Sequence, residues 1–189
     1  EGGVLTVTSA SDPDNGSTQV NGDNTVTYTP DADFNGTDTF TYMISDGQGG
    51  TASAAVTVTV TAVNDQPSFT VGTNPSAAED SSAQTISGWA TALSAGPANE
   101  SGQALDFIVS NDNNALFSAQ PAVSANGDLT YTPAADAHGS ATVTIQIHDD
   151  GGTADGGVDT SAAQTFTITV TPVDDATARR RRVLEQIIY

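Results

Sequence analysis

The stretch TYTPDADFNGTDTFTYMISDGQGG, Thr27–Gly50, returns further along the chain as TYTPAADAHGSATVTIQIHDDGG, Thr130–Gly152. Tyr28 matches Tyr131, Pro30 matches Pro133, Asp33 matches Asp136, Gly36 matches Gly139 and Asp46 matches Asp149, at a constant offset of 103. Within each copy apolar residues alternate with Thr or another polar residue, as in DTFTYMIS and TVTIQIH. A period of two with β-branched side chains predicts half-buried strands. The same alternation runs through TVTYTP, AAVTVTVTAV, LTYTP and QTFTITVTPV, and Asn-Gly in VNGDN and ANGD marks tight turns. Long helix-forming stretches are missing. Short strands with frequent turns predict an all-β chain built of sandwiches.

After an insertion in the second copy, TADGGVD at Thr153–Asp159, the offset becomes 110, pairing Val60 with Val170, Val63 with Val173 and Asp65 with Asp175. Two copies are too few for a solenoid, and each is long enough to be a sandwich of its own. This divides the chain into a first module over residues 1–63, a second over 64–175 and a tail over 176–189. The second copy has more in front of it. PSFTVG, EDSSAQTISGWATALSAG and PANESGQ read as strands A and B and the B–C loop. The first copy has no counterpart to these, so residue 1 falls near the start of strand C, and module one is expected to lack its N-terminal strands. Two explanations stand: the chain is a piece of a longer protein, or another chain supplies the strands to an open groove. The tail ATARRRRVLEQIIY breaks in composition from everything before it. Its Val183, Leu184, Ile187 and Ile188 have helical spacing, though the same letters suit a short strand.

Charge is the strongest compositional signal. The 189 residues carry 23 acids against 4 basic side chains, a formal net charge of −19. All four basic residues are consecutive, Arg179–Arg182, so residues 1–178 hold no Lys or Arg, only His138 and His148. Self-repulsion on this scale opposes the compact state unless cations screen it. It also argues against nucleic acid as a partner. Cysteine is absent, which excludes disulfides and thiolate sites, and no apolar run is long enough to span a bilayer.

Placement of the acids separates a solubilising surface from a cation site. In a seven-strand sandwich the E–F loop shares one end with the exit strand, and the B–C and F–G loops share the other. Asp31 and Asp33 lie in the E–F loop of module one, Asn64 and Asp65 form the linker AVNDQP, Glu100 lies in the B–C loop of module two, and Asp149 and Asp150 open its F–G loop. These groups are expected to converge at the junction between modules. Ca²⁺ takes six to eight oxygens from carboxylates, amide carbonyls and backbone, and this set supplies them. A second set, Glu79, Asp80, Asp136, Asp174 and Asp175, is expected to form half a site at the far end of module two. Asp and Asn also favour turns for their own sake. A lone acid is therefore read as a solvated turn residue, as Asp155 and Asp159 are, whereas the cation reading is favoured for the linker pair with Asp33 and Asp149.

At these residues the chain carries a resemblance. TVTYTPDADFNGTDTFTYMISDGQGG followed by VTVTVTAVNDQP, and AEDSSAQTISGWATALSAGP with NDNNALFSAQP and LTYTPAADAHGSATVTIQIHDDGG, resemble the cadherin-like, tandem immunoglobulin-like repeats of very large bacterial surface adhesins, many with RTX-type export signals. The resemblance covers residues 1–175 and leaves the tail out. It implies Greek-key sandwiches, an extracellular or cell-surface location, a role as stalk or spacer in adhesion and biofilm, and Ca²⁺ stiffening at the linkers, with neighbouring repeat modules as partners and no membrane insertion. The linker departs from cadherin linkers in carrying fewer acids.

Rival functions differ in what they require. An enzyme is not expected: the two His lie at unrelated places, without a Ser–Asp constellation. Adjacent acids such as Asp149–Asp150 in a Gly-rich loop suit ligands or turns better than glycoside hydrolysis. A carbohydrate-binding module, with surface polysaccharide as partner, would want exposed aromatics. Tyr28, Phe40, Tyr42, Tyr131, Phe166 and Trp89 are instead placed on strands and in the core. A filament subunit would use the open groove of module one and a donated strand, with subunits of the same filament as partners.

Overall fold

The computed structural model describes residues 3–174. Asp175 and the tail, with the expectations attached to them, lie outside the described residues. The chain is all-β and divides into two compact units, Glu1–Val63 and Asn64–Tyr189.

Unit 1 holds β1 (Thr6–Ala10), β2 (Gly16–Val20), β3 (Val26–Pro30), β4 (Gly36–Ser45) and β5 (Thr51–Val60). They form a sheet ordered β1-β4-β5 and a β2-β3 hairpin. Asp38 and Phe40 on β4 are buried. The Asp38 carboxylate accepts the backbone N–H of Asn15 at 3.1 Å and the Tyr28 hydroxyl at 3.1 Å. Tyr28 stacks on Phe40 with ring centroids 6.4 Å apart.

Unit 2 begins with four short strands, β6 (Ser68–Thr70), β7 (Ser76–Ala78), β8 (Gln84–Ile86) and β9 (Thr91–Ser94). β10 (Leu105–Asn111), β11 (Phe117–Val123), β12 (Leu129–Pro133), β13 (Gly139–Asp149) and β14 (Gln164–Thr171) follow. Three sheets result, ordered β10-β13-β14-β7, β11-β12-β8 and β6-β9. Of the segments expected as strands A and B, Pro67–Gly72 holds only β6 and Glu79–Gly96 is broken into β8 and β9, while β7 lies between them. β6 and β9 pair with each other, β7 runs parallel beside β14, and β8 pairs with β12. Trp89 sits at the break in the second of these segments rather than on a strand. It is nevertheless core, as expected: it is buried, its indole N–H donates to the Thr73 carbonyl at 2.9 Å, and its ring lies 4.3 Å from that of Phe166.

The five strands of unit 1 pair as β10–β14 do in unit 2. β1-β4-β5 repeats β10-β13-β14, and β2-β3 repeats β11-β12. The cores differ. Phe166, Ile168 and Val170 on β14 are buried, while Val56, Val58 and Val60, their partners at the offset of 110, are half-buried. The core of unit 2 is closed by Trp89, Leu129, Tyr131, Val143, Ile145 and Ile147 among others.

The repeated acid has a backbone explanation. Asp33 and Asp136 both adopt left-handed conformations, with φ of 60° and 56°. Asp and Asn visit this region at the lowest cost after Gly. Gly36 and Gly139, three residues on in each copy, have φ of 127° and 137°, which only Gly accepts readily. The shared phrase is thus a turn that carries the chain from β3 to β4 and from β12 to β13.

Candidate functional site

Alternation on β13 builds the site. Val143, Ile145 and Ile147 point inward, and two residues later so does Asp149, which is 0% exposed. The carboxylate is carried inside because it ends the buried face of a strand. Its Oδ1 accepts the Gly151 N–H and the Asn64 Nδ2–H, both at 2.9 Å. Its Oδ2 is buried and has no hydrogen-bond partner in the protein.

Glu100 comes from a single 3-10 turn, Ala98–Glu100, between β9 and β10, and is 6% exposed. Its Oε1 accepts the Asp65 N–H at 3.0 Å, while Oε2 is buried without a partner. Gln103 follows. Its Nε2 donates to Asn64 Oδ1 at 2.7 Å, and its Oε1 is the third buried oxygen without a partner. Asp150 is exposed and accepts the Ala104 N–H at 2.8 Å, which anchors β10 to the loop after β13. Five of the expected residues, Asn64, Asp65, Glu100, Asp149 and Asp150, therefore belong to one end of unit 2. Gln103 was not expected; an amide in a loop of small residues carries no sequence signal of burial.

Such an arrangement holds stranded negative charge. A buried carboxylate oxygen without a partner costs more than a neutral one, and the described residues contain no Lys or Arg to offset it. Among the described residues no group of three or more His, Cys, Asp and Glu side chains converges as a metal-binding cluster. The oxygens here come from two buried carboxylates and an amide. That donor chemistry suits a hard cation which accepts neutral carbonyls, and not a nitrogen- and sulfur-seeking one.

The remaining expected residues belong to unit 1 or to the other end of unit 2. Asp31 and Asp33 are exposed in the β3–β4 turn of unit 1, where Asp31 O accepts the Phe34 N–H at 3.3 Å. At the other end of unit 2, Glu79 is buried. It accepts the Val173 N–H at 2.7 Å on Oε1 and pairs with His138 Nδ1 at 3.1 Å through Oε2. Asp80 Oδ1 accepts the Asp136 N–H at 3.1 Å. Glu79 and Asp80 thus fasten the β7–β8 turn to the β12–β13 turn and to the chain after β14. Asp174 is exposed on that last segment.

His148 lies between two acids, with Nδ1 2.7 Å from Asp106 Oδ1 and Nε2 3.8 Å from Asp159 Oδ2. The Asp106 hydrogen bond holds its imidazole above the usual histidine range. A raised folded-state pKa contributes stability that is fully present below the unfolded value and is lost as pH rises through the folded one. Lowering the pH from about 8 to about 6, across the ordinary histidine range, is expected to stabilise the wild type slightly relative to His148→Gln. Parallel melting curves for the two proteins across that range would remove this role. The effect is small because both partners are solvent-accessible.

The exposed large apolar side chains are Val4, Leu5, Met43, Val63, Ile108, Val158 and Val173, none of them aromatic. No described helix is long and apolar enough to cross a membrane.

The profile of a bacterial Ig domain family matches residues 1–59 and again residues 64–171. No curated protein matches the sequence. Among solved structures, human protocadherin-24 EC1-2 is similar at 16% identity and a TM-score of 0.60, covering 88% of this chain and 81% of that one. Drosophila N-cadherin EC1-4 is similar at 15% identity and a TM-score of 0.58, covering 91% of this chain and 42% of that one. At such identities the likeness bears on the fold alone, an Ig-like and cadherin-like sandwich.

Proposed function

The chain belongs to the bacterial Ig domain family, and from that premise we propose that it is a Ca²⁺-stabilised repeat module of a large extracellular surface adhesin, serving as a spacer between neighbouring modules. One observation carries the reading. Glu100 Oε2, Gln103 Oε1 and Asp149 Oδ2 are buried at the same end of unit 2 without partners, beside a linker that Asn64 and Asp65 tie to them. Together with waters and backbone carbonyls, these side chains would hold a Ca²⁺ ion, whose charge would offset the two carboxylates. A repeated sandwich needs no chemistry of its own to act as a spacer. It needs a joint that keeps its shape in a medium rich in divalent cations.

Calorimetric titration of the chelator-stripped chain with Ca²⁺ is the direct test. Heat of binding that disappears in Glu100→Gln, while the variant keeps its β-sheet circular dichroism, is expected. Absence of any saturable heat in the wild type would overturn the reading.

A further inference from the structure

Asn64 is spoken for on every side. Its Nδ2 donates to Asp149 Oδ1 at 2.9 Å and to the Val158 carbonyl at 3.0 Å. Its Oδ1 accepts from Gln103 Nε2 at 2.7 Å, and its backbone carbonyl accepts the Val158 N–H at 3.0 Å. An amide coordinates a cation through its oxygen. Here that oxygen is covered by the Gln103 amide and by Gly151, on which a Cβ would collide with Asn64 Oδ1. Both N–H donors are also in use, which exhausts the donor capacity of the group.

Two of the residues that surround Asn64, Gly157 and Val158, come from the insertion that separates the two copies. In unit 1 the β4–β5 turn is closed by Asp46, whose N–H donates to the Gly50 carbonyl at 3.1 Å and whose Oδ1 accepts the N–H groups of Gln48 and Gly50. Unit 2 has Thr153–Asp159 in addition. Val158 bridges Asn64 from above, and Asp159 O accepts the Asp149 N–H at 3.0 Å. Thr160 O accepts from Gln66 Nε2 at 3.1 Å. Gly157 lies so close that a Cβ there would stand 3.0 Å from Asn64 Cβ and 3.1 Å from its backbone N. Such crowding has a purpose only if the loop is meant to lie on residue 64. Lengthening a loop by a few residues adds little closure entropy, so the insertion is an inexpensive way to hold a segment.

We propose that Thr153–Asp159 is a clasp for Asn64, and that Asn64 is a positioning residue for Asp149 and Gln103 and not a cation ligand. The clasp fixes the linker residues Asn64–Gln66 to unit 2 with no cation bound, and turns the free oxygens of Asp149 and Gln103 away from Asn64. It does not depend on the Ca²⁺ reading, because every hydrogen bond in it joins one protein group to another.

Amide hydrogen exchange by NMR in excess chelator separates the two. In the wild type the Val158 and Asp65 amides are expected to be protected. Asn64→Asp replaces both donors by a carboxylate facing Asp149, and Val158 protection is expected to fall at least about tenfold, the equivalent of one hydrogen bond to a charged group. The reversed pair, Asn64→Asp with Asp149→Asn, restores one donor facing one acceptor and is expected to recover part of that loss; a purely steric role for residue 64 would give no recovery. Should Asn64→Asp not fold, Gly157→Ala is the milder probe, lowering Val158 protection while core amides such as Ile145 keep theirs. Unchanged Val158 protection in these variants, or no recovery in the reversed pair, overturns the clasp. Tighter Ca²⁺ binding by Asn64→Asp with Val158 protection intact would instead make residue 64 a ligand. Failure of the wild type to bind Ca²⁺ would leave the exchange results, and the clasp, standing.

Discussion

Ca²⁺ is expected to raise the melting temperature of this protein by roughly 10 °C when the free ion is about a hundredfold above its dissociation constant, and chelator is expected to reverse it. Saturation of that degree contributes about 2.7 kcal/mol to the folded state, and a domain of this size shifts by several degrees for each kcal/mol. The physical source is specific. Asp149 Oδ2 and Glu100 Oε2 are desolvated without a partner, and the described residues hold no Lys or Arg, only the imidazoles of His138 and His148. Neither imidazole reaches these two oxygens; His138 pairs with Glu79, and His148 with Asp106 and Asp159. Asp149→Asn is expected to erase most of the increment. Coincident melting curves in Ca²⁺ and in chelator would sink the idea.

Ile147→Ala is expected to cost about 2–5 kcal/mol in urea unfolding of unit 2, whereas Ile108→Ala stays within about 0.5 kcal/mol. The two isoleucines sit on adjacent paired strands, where Ile147 is opposite Phe107 and Ile108 opposite Gln146. One residue of phase separates them. Ile147 is 0% exposed inside the core and Ile108 is 49% exposed on the outer face. The cavity left by Ile147→Ala would also loosen the end of the inward row that carries Asp149. A secondary loss of Ca²⁺ affinity is therefore expected in Ile147→Ala and not in Ile108→Ala. Equal stability of the two variants would mean that the assigned phase of β13 is wrong.

Much of this was legible in the letters. Period-two alternation placed β3, β4, β5, β12, β13 and β14, because a strand with one wet face must alternate to bury the other. The fixed offset between copies identified two related units. The recurrence of Asp33 at Asp136 is explained by local backbone geometry, a left-handed turn residue, before any ligand is invoked. The burial of Asp149 was not legible: its expected place is the loop after TVTIQIH, whereas the strand runs on to Asp149 and places it on one face with Val143, Ile145 and Ile147.

Other features required the tertiary structure. The segment expected as strand B breaks in two, because its halves β8 and β9 pair with different partners, β12 and β6, and β7, outside the expected strands, runs beside β14. Local alternation cannot register such a change of sheet. The sequence determined by itself that this is an acidic, all-β, twofold-repeated chain with oxygen donors gathered in its turns. Only the tertiary structure decided which donors are used and which are left over. Asn64 meets Asp149, Val158 and Gln103, and Asp65 meets Glu100, across separations of 35 to 94 residues. At those separations it is the closure of the sandwich, and not any local preference, that sets which oxygen finds a hydrogen and which does not.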